Sequence, residues 1–400
     1  MSDQNVQRPE PLGMDNAFAY DTMSRRVPGI IRQIQDVNPD YPASIMQALD
    51  RLHDDMKANA PIPMIDNAPI PTLDYATWEA GYQTHAAKFQ PYTWLNNTWF
   101  FAEVFLYRHI MQAVRWFETG RDPFIAIKRE ELGADRLWQL VDVALDVRGT
   151  FDEKLTLLAG FALWGNRVDL SHPAGTLAAD AAEDDDLLVD DRAALVRHMV
   201  ANDSPRCDGA VHIVADNTGT ELAIDLVLAD MLLAADVQQV VALHVKWHPT
   251  FVSDATVDDV WQMIGAMEAH EGKFAALAGR LRAAWLAGRF RIGSHPFWNS
   301  GSFLWEMPST LKQAFSTARL VIFKGDINYR RAVGDTIWPS GVTYADAMSY
   351  FPAPVLALRS LKSDGLVGVP AERTDPLDAT DSNWRTTGRY GLMQFANRED

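Results

Sequence analysis

Apolar positions in the first half of the chain recur three and four residues apart. MSRRVPGIIRQIQDVN (23–38), SIMQALDRLHDDMKAN (44–59) and DYATWEAGYQTHAAKF (74–89) all carry this spacing, which predicts helices that each bury one face. The stretch from Leu95 to Gly120 bears an aromatic and aliphatic stripe, and its closing glycine is read as the helix stop. ADRLWQLVDVALDV (134–147) and DEKLTLLAGFALWGNRVDL (152–170) continue the pattern. No segment recurs at the fixed period of a solenoid.

The period changes in the second half. GAVHIVADN (209–217), VQQVVALHVKW (237–247), RFRIG (289–293), RLVIFKGD (319–326) and APVLALRSLKSD (353–364) are short apolar runs that read as buried strands. Between them lie helical patterns: TELAIDLVLADMLLAAD (220–236), expected to be amphipathic, DATVDDVWQMIGAMEAHEG (254–272), FAALAGRLRAAWLAG (274–288) and PSTLKQAFSTA (308–318). Strands alternating with helices predict an α/β fold, a three-layer α/β/α arrangement around a mostly parallel, Rossmann-like sheet. Residues 1–180 are expected to form a helical region packed on an α/β domain of residues 181–400, with the boundary in the acidic stretch between Asp180 and Asp208.

Bulk composition narrows the function classes. Hydrophobic residues make up 48% of 400, enough for a full core. A net charge of −17 disfavours nucleic-acid and anionic-membrane partners. The N-terminus lacks the apolar segment of a signal peptide, and no apolar run reaches the length of a membrane span. Cys207 is the one cysteine, which excludes an internal disulfide framework and points to a reducing, cytoplasmic setting. It reads as incidental rather than as a nucleophile. DAAEDDDLLVDD (180–191) reads as a solvated charge run, because it lacks the alternating ligands and central glycine of a calcium loop. GxGxxG, Walker A, HExxH and GxSxG are absent.

What remains is a set of strands that end in polar clusters. Asp216, Asn217 and Glu221 follow the first; Lys246, Ser253 and Asp254 follow the second; Lys324, Asp326 and Asn328 end the fourth; Arg359 and Lys362 end the fifth. Parallel neighbours would gather all of these along one sheet edge, where open α/β sheets bind ligands. Aspartate and asparagine oxygens suit a hard divalent ion such as Mg²⁺ or Mn²⁺, and lysines suit a phosphate. The helix start at Thr220–Glu221 would offer free N–H groups to an anion. On strand alternation, Lys324, Asp326 and Asn328 are expected to share one side. The bland alternative is that Asp and Asn after strands serve as caps and turn formers. His244 reads as structural and His248 as a pocket neighbour. Trp99, Phe100, Phe101, Phe105 and Tyr107 read as helix packing, and Arg108 and Arg330 equally as ion-pair partners or phosphate contacts.

ADNTGTELAIDLVLADMLL, HVKWHPTFVSDAT, FKGDINYRR and LRSLK together resemble the signature segments of the metal-dependent damage-control phosphatase family. The likeness is nearest to the branch that includes an acidic-residue, or protein-glutamate, O-methyltransferase, whose N-terminal helical segment resembles TWLNNTWFFAEVFLYRHIMQAVRWFETGRDPF. The resemblance implies Asp216, Asn217 and Asp254 as ligands of a divalent metal (Mn, Mg, Co or Ni). It implies substrate contacts from Glu221, Lys362 and the segment Gly325, Asp326, Ile327, Asn328 and Tyr329, with Lys324 a phosphate neighbour on electrostatic grounds. Asp216, Asp254 and Asp326 are the expected catalytic groups. The expected reaction is hydrolysis of a small phosphate ester, a sugar phosphate or damaged phosphometabolite, either through a water that Asp254 orients or by direct attack of Asp216 through an aspartyl-phosphate. S-adenosylmethionine-dependent carboxyl methylation, and a non-catalytic role for the same pocket, are the rival expectations; the missing glycine-rich loop counts against the former. Thr218, Thr220 and Ser360 depart from the family pattern beside the anion pocket.

Overall fold

The computed structural model describes residues 7–67, 71–165, 185–201, 209–234 and 239–397. Cys207 and the start of the acidic run lie outside these residues. Among the described residues seven strands form one sheet: β1 (Leu187–Asp190), β2 (Val211–Val214), β3 (Val241–Val245), β4 (Phe290–Ser294), β5 (Leu320–Lys324), β6 (Val355–Ser360) and β7 (Gly391–Ala396). Their order is β1-β7-β6-β5-β2-β3-β4. The neighbours from β6 to β4 all pair in parallel, whereas β7 runs antiparallel to β6. The mostly parallel sheet predicted from the alternation is therefore present. β1 and β7 carry no clear strand pattern. β1 is a four-residue run inside an acidic stretch, too short for alternation to register.

The chain leaves β2 toward β3 and β4 on one side, then returns to place β5 and β6 on the other. Such a reversal opens a crevice at the strand carboxyl ends. β2 and β5 are buried along their whole lengths, as strands covered on both faces must be.

The helices used below are α1 (Val27–Val37), α2 (Ala43–Lys57), α3 (Tyr75–Lys88), α4 (Trp99–Ala113), α5 (Ile125–Leu132), α6 (Asp135–Leu145), α7 (Phe151–Trp164), α8 (Thr220–Ala234), α9 (Val257–Ala269) and α10 (Lys273–Leu286), with α11 (Gly325–Val333) following β5. α8 departs from the amphipathic expectation. Leu222, Ala223, Ile224, Leu226, Val227, Leu228 and Ala229 are all buried, because the helix lies between the sheet and a second helical layer of α6, α7 and α10. A helix apolar on all sides is one enclosed on all sides. α4 is likewise buried all round, and it stops at Val114, six residues before the glycine read as its end. Arg115 there adopts a left-handed φ of 57°, which breaks the helical path.

Three apolar clusters result. One joins α6 to α10 with one sheet face, a second fills the opposite face, and the third belongs to α1–α4. Ile327, in the first turn of α11, is part of the third cluster. The helix that begins at the crevice is thus seated directly on the N-terminal helices.

Candidate metal and phosphate site

β2, β3, β5 and β6 are consecutive neighbours in space, so their polar ends face one crevice. Two loops are stitched together there by backbone hydrogen bonds. Thr218 N donates to Ser253 O at 2.7 Å and Ala255 N to Asp216 O at 2.8 Å, and Asn217 and Asp254 form an antiparallel bridge. Asp254, 38 residues beyond Asp216 in sequence, is brought beside Asp216 and Asn217 by this pairing. Asn217 Nδ2 donates to Asp216 Oδ2 at 3.2 Å and to Glu221 Oε1 at 2.9 Å, while its Oδ1 accepts from Ser253 Oγ at 2.6 Å.

Two oxygens in this group lack a donor. Asp216 Oδ1 and Asp254 Oδ2 are buried with no hydrogen-bond partner. Lys246 Nζ lies 3.3 Å from Asp254 Oδ2, near enough to attract it but not aligned for a hydrogen bond. Burial, reinforced by the charges of Asp254 and Glu221, raises Asp216 well above the ordinary carboxylate range, against Lys246 and Lys362. Burial likewise lifts Asp254 to about 6, although Lys246 and Lys128 oppose it. Among the described residues no three His, Cys, Asp or Glu side chains make a ready cage. The donor set is instead two carboxylates and an amide. Asp216 Oδ1 has no hydrogen-bond partner and Asp254 Oδ2 has only the Lys246 ammonium beside it; two buried carboxylates so placed fit a hard divalent cation, toward which Asn217 would turn its Oδ1 away from Ser253.

Gly325 makes the approach of β5 possible. Its φ is +79°, and a Cβ there would fall 1.8 Å from Asp216 Oδ2; a side chain would collide with the carboxylate, and the left-handed backbone favours glycine. The chain then turns into α11 rather than continuing as a strand. The expected common side for Lys324, Asp326 and Asn328 is therefore not found, because helical residues two apart diverge by about 200°. Lys324 Nζ points to Asp225 Oδ1 at 2.7 Å, both side chains being almost wholly buried. Asp225, Glu221 and Asp216 raise the lysine above its usual range in spite of burial. It contributes field to the site but is held by a protein carboxylate. Asn328 Nδ2 donates to Ala215 O at 3.0 Å and Lys324 O at 2.8 Å, tying the ends of β2 and β5 together. Asp326 Oδ1 accepts from Arg359 Nε at 2.7 Å, Ser363 Oγ at 3.0 Å and Lys362 N at 3.2 Å. Arg359 and Arg330 hold Asp326 below the ordinary range against its burial. Tyr329 differs most from expectation. Its hydroxyl donates to Gln394 Oε1 at 2.9 Å, and its ring lies against the Arg359 guanidinium. Helical rotation carries it to the β7 side, where it is a packing group.

Lys362 is exposed at the crevice, and Glu221, Asp216 and Asp326 raise it above ordinary lysine in spite of partial desolvation. The expectation of free N–H groups at the start of α8 needs correction at Thr220. Its N–H donates to Glu131 Oε1 at 3.0 Å, so a side chain of α5 already caps that helix. Arg108 and Arg330 are ion-pair residues. Arg108 Nε meets Asp74 at 2.6 Å, and Arg330 bridges Glu103 at 2.8 Å and Asp335 at 2.7 Å. Trp99, Phe100, Phe101, Phe105 and Tyr107 lie in the N-terminal apolar cluster. His244 bonds His212 across β2 and β3 at 2.8 Å, and His248 is buried with its Nδ1 at 2.9 Å from Pro249 O.

Lys128, Glu131 and Asp225 were not singled out from sequence. Asp225 had a signal, as a carboxylate one helical turn from Glu221 in an otherwise apolar run. Lys128 and Glu131 sit in AIKREEL, a charged segment that reads as a solvated face.

Residues 22–377 match the family model described as the damage-control phosphatase ARMT1-like domain. The zebrafish (Danio rerio) protein named damage-control phosphatase ARMT1 is 28% identical over 443 residues, covering 99% of each chain. The Bos taurus protein of the same name is 30% identical over 333 residues, covering 76% of this chain and 75% of its own. A DUF89-family structure from Pyrococcus horikoshii aligns with 91% of this chain and 95% of its own, at 15% identity and a TM-score of 0.48.

Proposed function

Because the chain belongs to the ARMT1-like damage-control phosphatase family, we propose that it is a metal-dependent phosphomonoesterase whose crevice at the ends of β2, β3 and β5 takes a small phosphate ester, a sugar phosphate or damaged phosphometabolite. One observation carries the placement: the paired loops bury Asp216 and Asp254 together, Asp216 Oδ1 with no hydrogen-bond partner and Asp254 Oδ2 with only the Lys246 ammonium at 3.3 Å. Asp216, Asn217 and Asp254 would hold the metal, which when bound would polarise a phosphoryl oxygen. Mn, Mg, Co or Ni would suit their oxygens.

The remaining residues divide by position. Lys362, exposed and close to Glu221, Asp216 and Asp326, meets the phosphoryl oxygens. Lys246, between Asp254 and Asn328, offsets charge on the deeper side. Asp326 places Lys362 by accepting its backbone N–H. Lys324 and Asn328 set the frame from β5, and Glu221 orients Asn217 through the amide nitrogen. We take residues 181–400 as the metal- and phosphate-binding part, with residues 1–180 supporting it, and place its action in the reducing cytosol on the single cysteine. No helix among the described residues is long and apolar enough to cross a membrane. Carboxyl methylation is not favoured, since the matching relatives bear the phosphatase name.

The test is phosphate release from a panel of sugar phosphates and other monoesters by metal-stripped protein, with Mn²⁺, Co²⁺, Ni²⁺ or Mg²⁺ restored singly. Release that requires one of these ions supports the proposal; no release from any ester with any ion removes it.

Metal uptake should also depend on pH. Burial raises Asp254 to about 6 and Asp216 well above its usual range, so the metal-free folded state retains protons that the unfolded chain releases. That contribution to stability is fully present below about pH 4 and is lost as pH rises through the folded values. A metal must displace the same protons. Its apparent Kd should therefore weaken below about pH 6, by roughly tenfold per pH unit for each proton displaced. Calorimetric titration with Mn²⁺ from pH 5 to 8 checks this; a Kd flat over that range would contradict it.

A further inference from the structure

α5 sits beside both loops that carry the candidate ligands. Lys128 and Glu131 lie three residues apart on it, and hence on one face. Lys128 Nζ donates to the backbone carbonyl of Asp254 at 3.1 Å and pairs with Asp259 at 2.7 Å and Asp122 at 2.9 Å. Asp259 in turn accepts from Thr256 N at 2.8 Å, closing the capping box at the start of α9. Lys128 therefore grips the Asp254 loop at its ligand and at its exit.

Glu131 grips the other loop. Its Oε1 accepts from Thr220 N at 3.0 Å, completing the amino end of α8 from outside that helix. Gly219 makes room for it: with φ +63°, a Cβ there would lie 2.1 Å from Glu131 Cδ. Thr220 is four residues after Asp216 and three after Asn217, so this contact fixes the end of the segment that bears both.

We propose that α5 is a clamp, in which Lys128 and Glu131 act as positioning residues that set the separation of the Asp216–Asn217 loop from the Asp254 loop and so set metal affinity. The inference rests on the metal reading above. The backbone pairing between Thr218 and Ser253 fixes the register of the loops. The clamp fixes how far each is drawn toward α5. Both contacts reach loop backbone, so neither residue needs to touch the metal or the phosphate.

The experiment is Mn²⁺ titration by calorimetry of the full chain and of Glu131→Ala, Glu131→Gln and Lys128→Met, with melting of each metal-free protein measured in parallel. Glu131→Ala should weaken Mn²⁺ binding by about 10- to 100-fold, the usual cost of losing a partner that orients a ligand. Glu131→Gln keeps an oxygen that accepts the Thr220 N–H and should stay near the wild-type Kd. Lys128→Met should weaken binding as Glu131→Ala does, and the double variant should fall short of the product of the two effects, since one clamp is already released. Should Lys128→Met fail to fold, the Ala and Gln pair at position 131 decides. An unchanged Kd in Glu131→Ala with only a lowered melting temperature would overturn the clamp. Equal weakening by Ala and Gln would overturn it too, by assigning the effect to charge. Failure of the wild-type chain to take up Mn²⁺ would instead remove the metal reading, and the clamp with it.

Discussion

Asp216→Asn is expected to reduce metal-dependent phosphate release to background while the metal-free protein becomes more stable at neutral pH. Asp216 lies buried beside Asp254 and Glu221, and Oδ1 has no donor. Burial and like charge raise its pKa, so at pH 7 folding of the metal-free protein works against an ionisation that the unfolded chain allows. An amide of the same shape removes that cost together with a candidate ligand. Opposite signs for stability and turnover are the mark of a site residue held against its own preference. The measurements are phosphate release with restored metal and thermal melting of stripped protein at pH 7. Full activity in the variant would remove Asp216 from the metal site.

Asp326→Ala is expected to lose turnover by orders of magnitude, together with a substantial loss of stability. Its Oδ1 is the carboxylate partner of Arg359, whose side chain is 0% exposed. Arg359 also donates to Ser363 O at 2.9 Å and to Gly365 O, but those carbonyls carry no compensating charge. Removing one member of a buried pair typically costs about 3–5 kcal/mol. The same change frees the Lys362 backbone, so the lysine proposed to meet the phosphate loses its fixed origin. Asp326→Asn keeps an acceptor oxygen and should lie between the two. Chemical denaturation and steady-state kinetics on the same preparations separate the effects. Full turnover in a folded Asp326→Ala protein would show that Lys362 needs no such placement.

Legibility followed chain distance. The short apolar runs of β2, β3, β5 and β6, with their polar ends, were readable because each signal is contained in one segment. Parallel pairing of adjacent strands then required those ends to gather, and the sheet order places them so. What went unread lies where two remote segments meet. Lys324 resembled a phosphate lysine until Asp225 of α8 faced it. Tyr329 read as a site residue until the helical turn beginning at Gly325 carried it toward Gln394.

By itself, then, the sequence determined the α/β class, the parallel neighbours and the oxygen-rich loops, since period and turn chemistry are local properties. The tertiary structure alone decided which charges stay available. Lys324 and Arg359 are committed to Asp225 and Asp326, Glu131 closes the start of α8, and Lys362 remains at the crevice. The physical reason is that a buried charge must find a partner from whatever element packs against it, and no local pattern names that element.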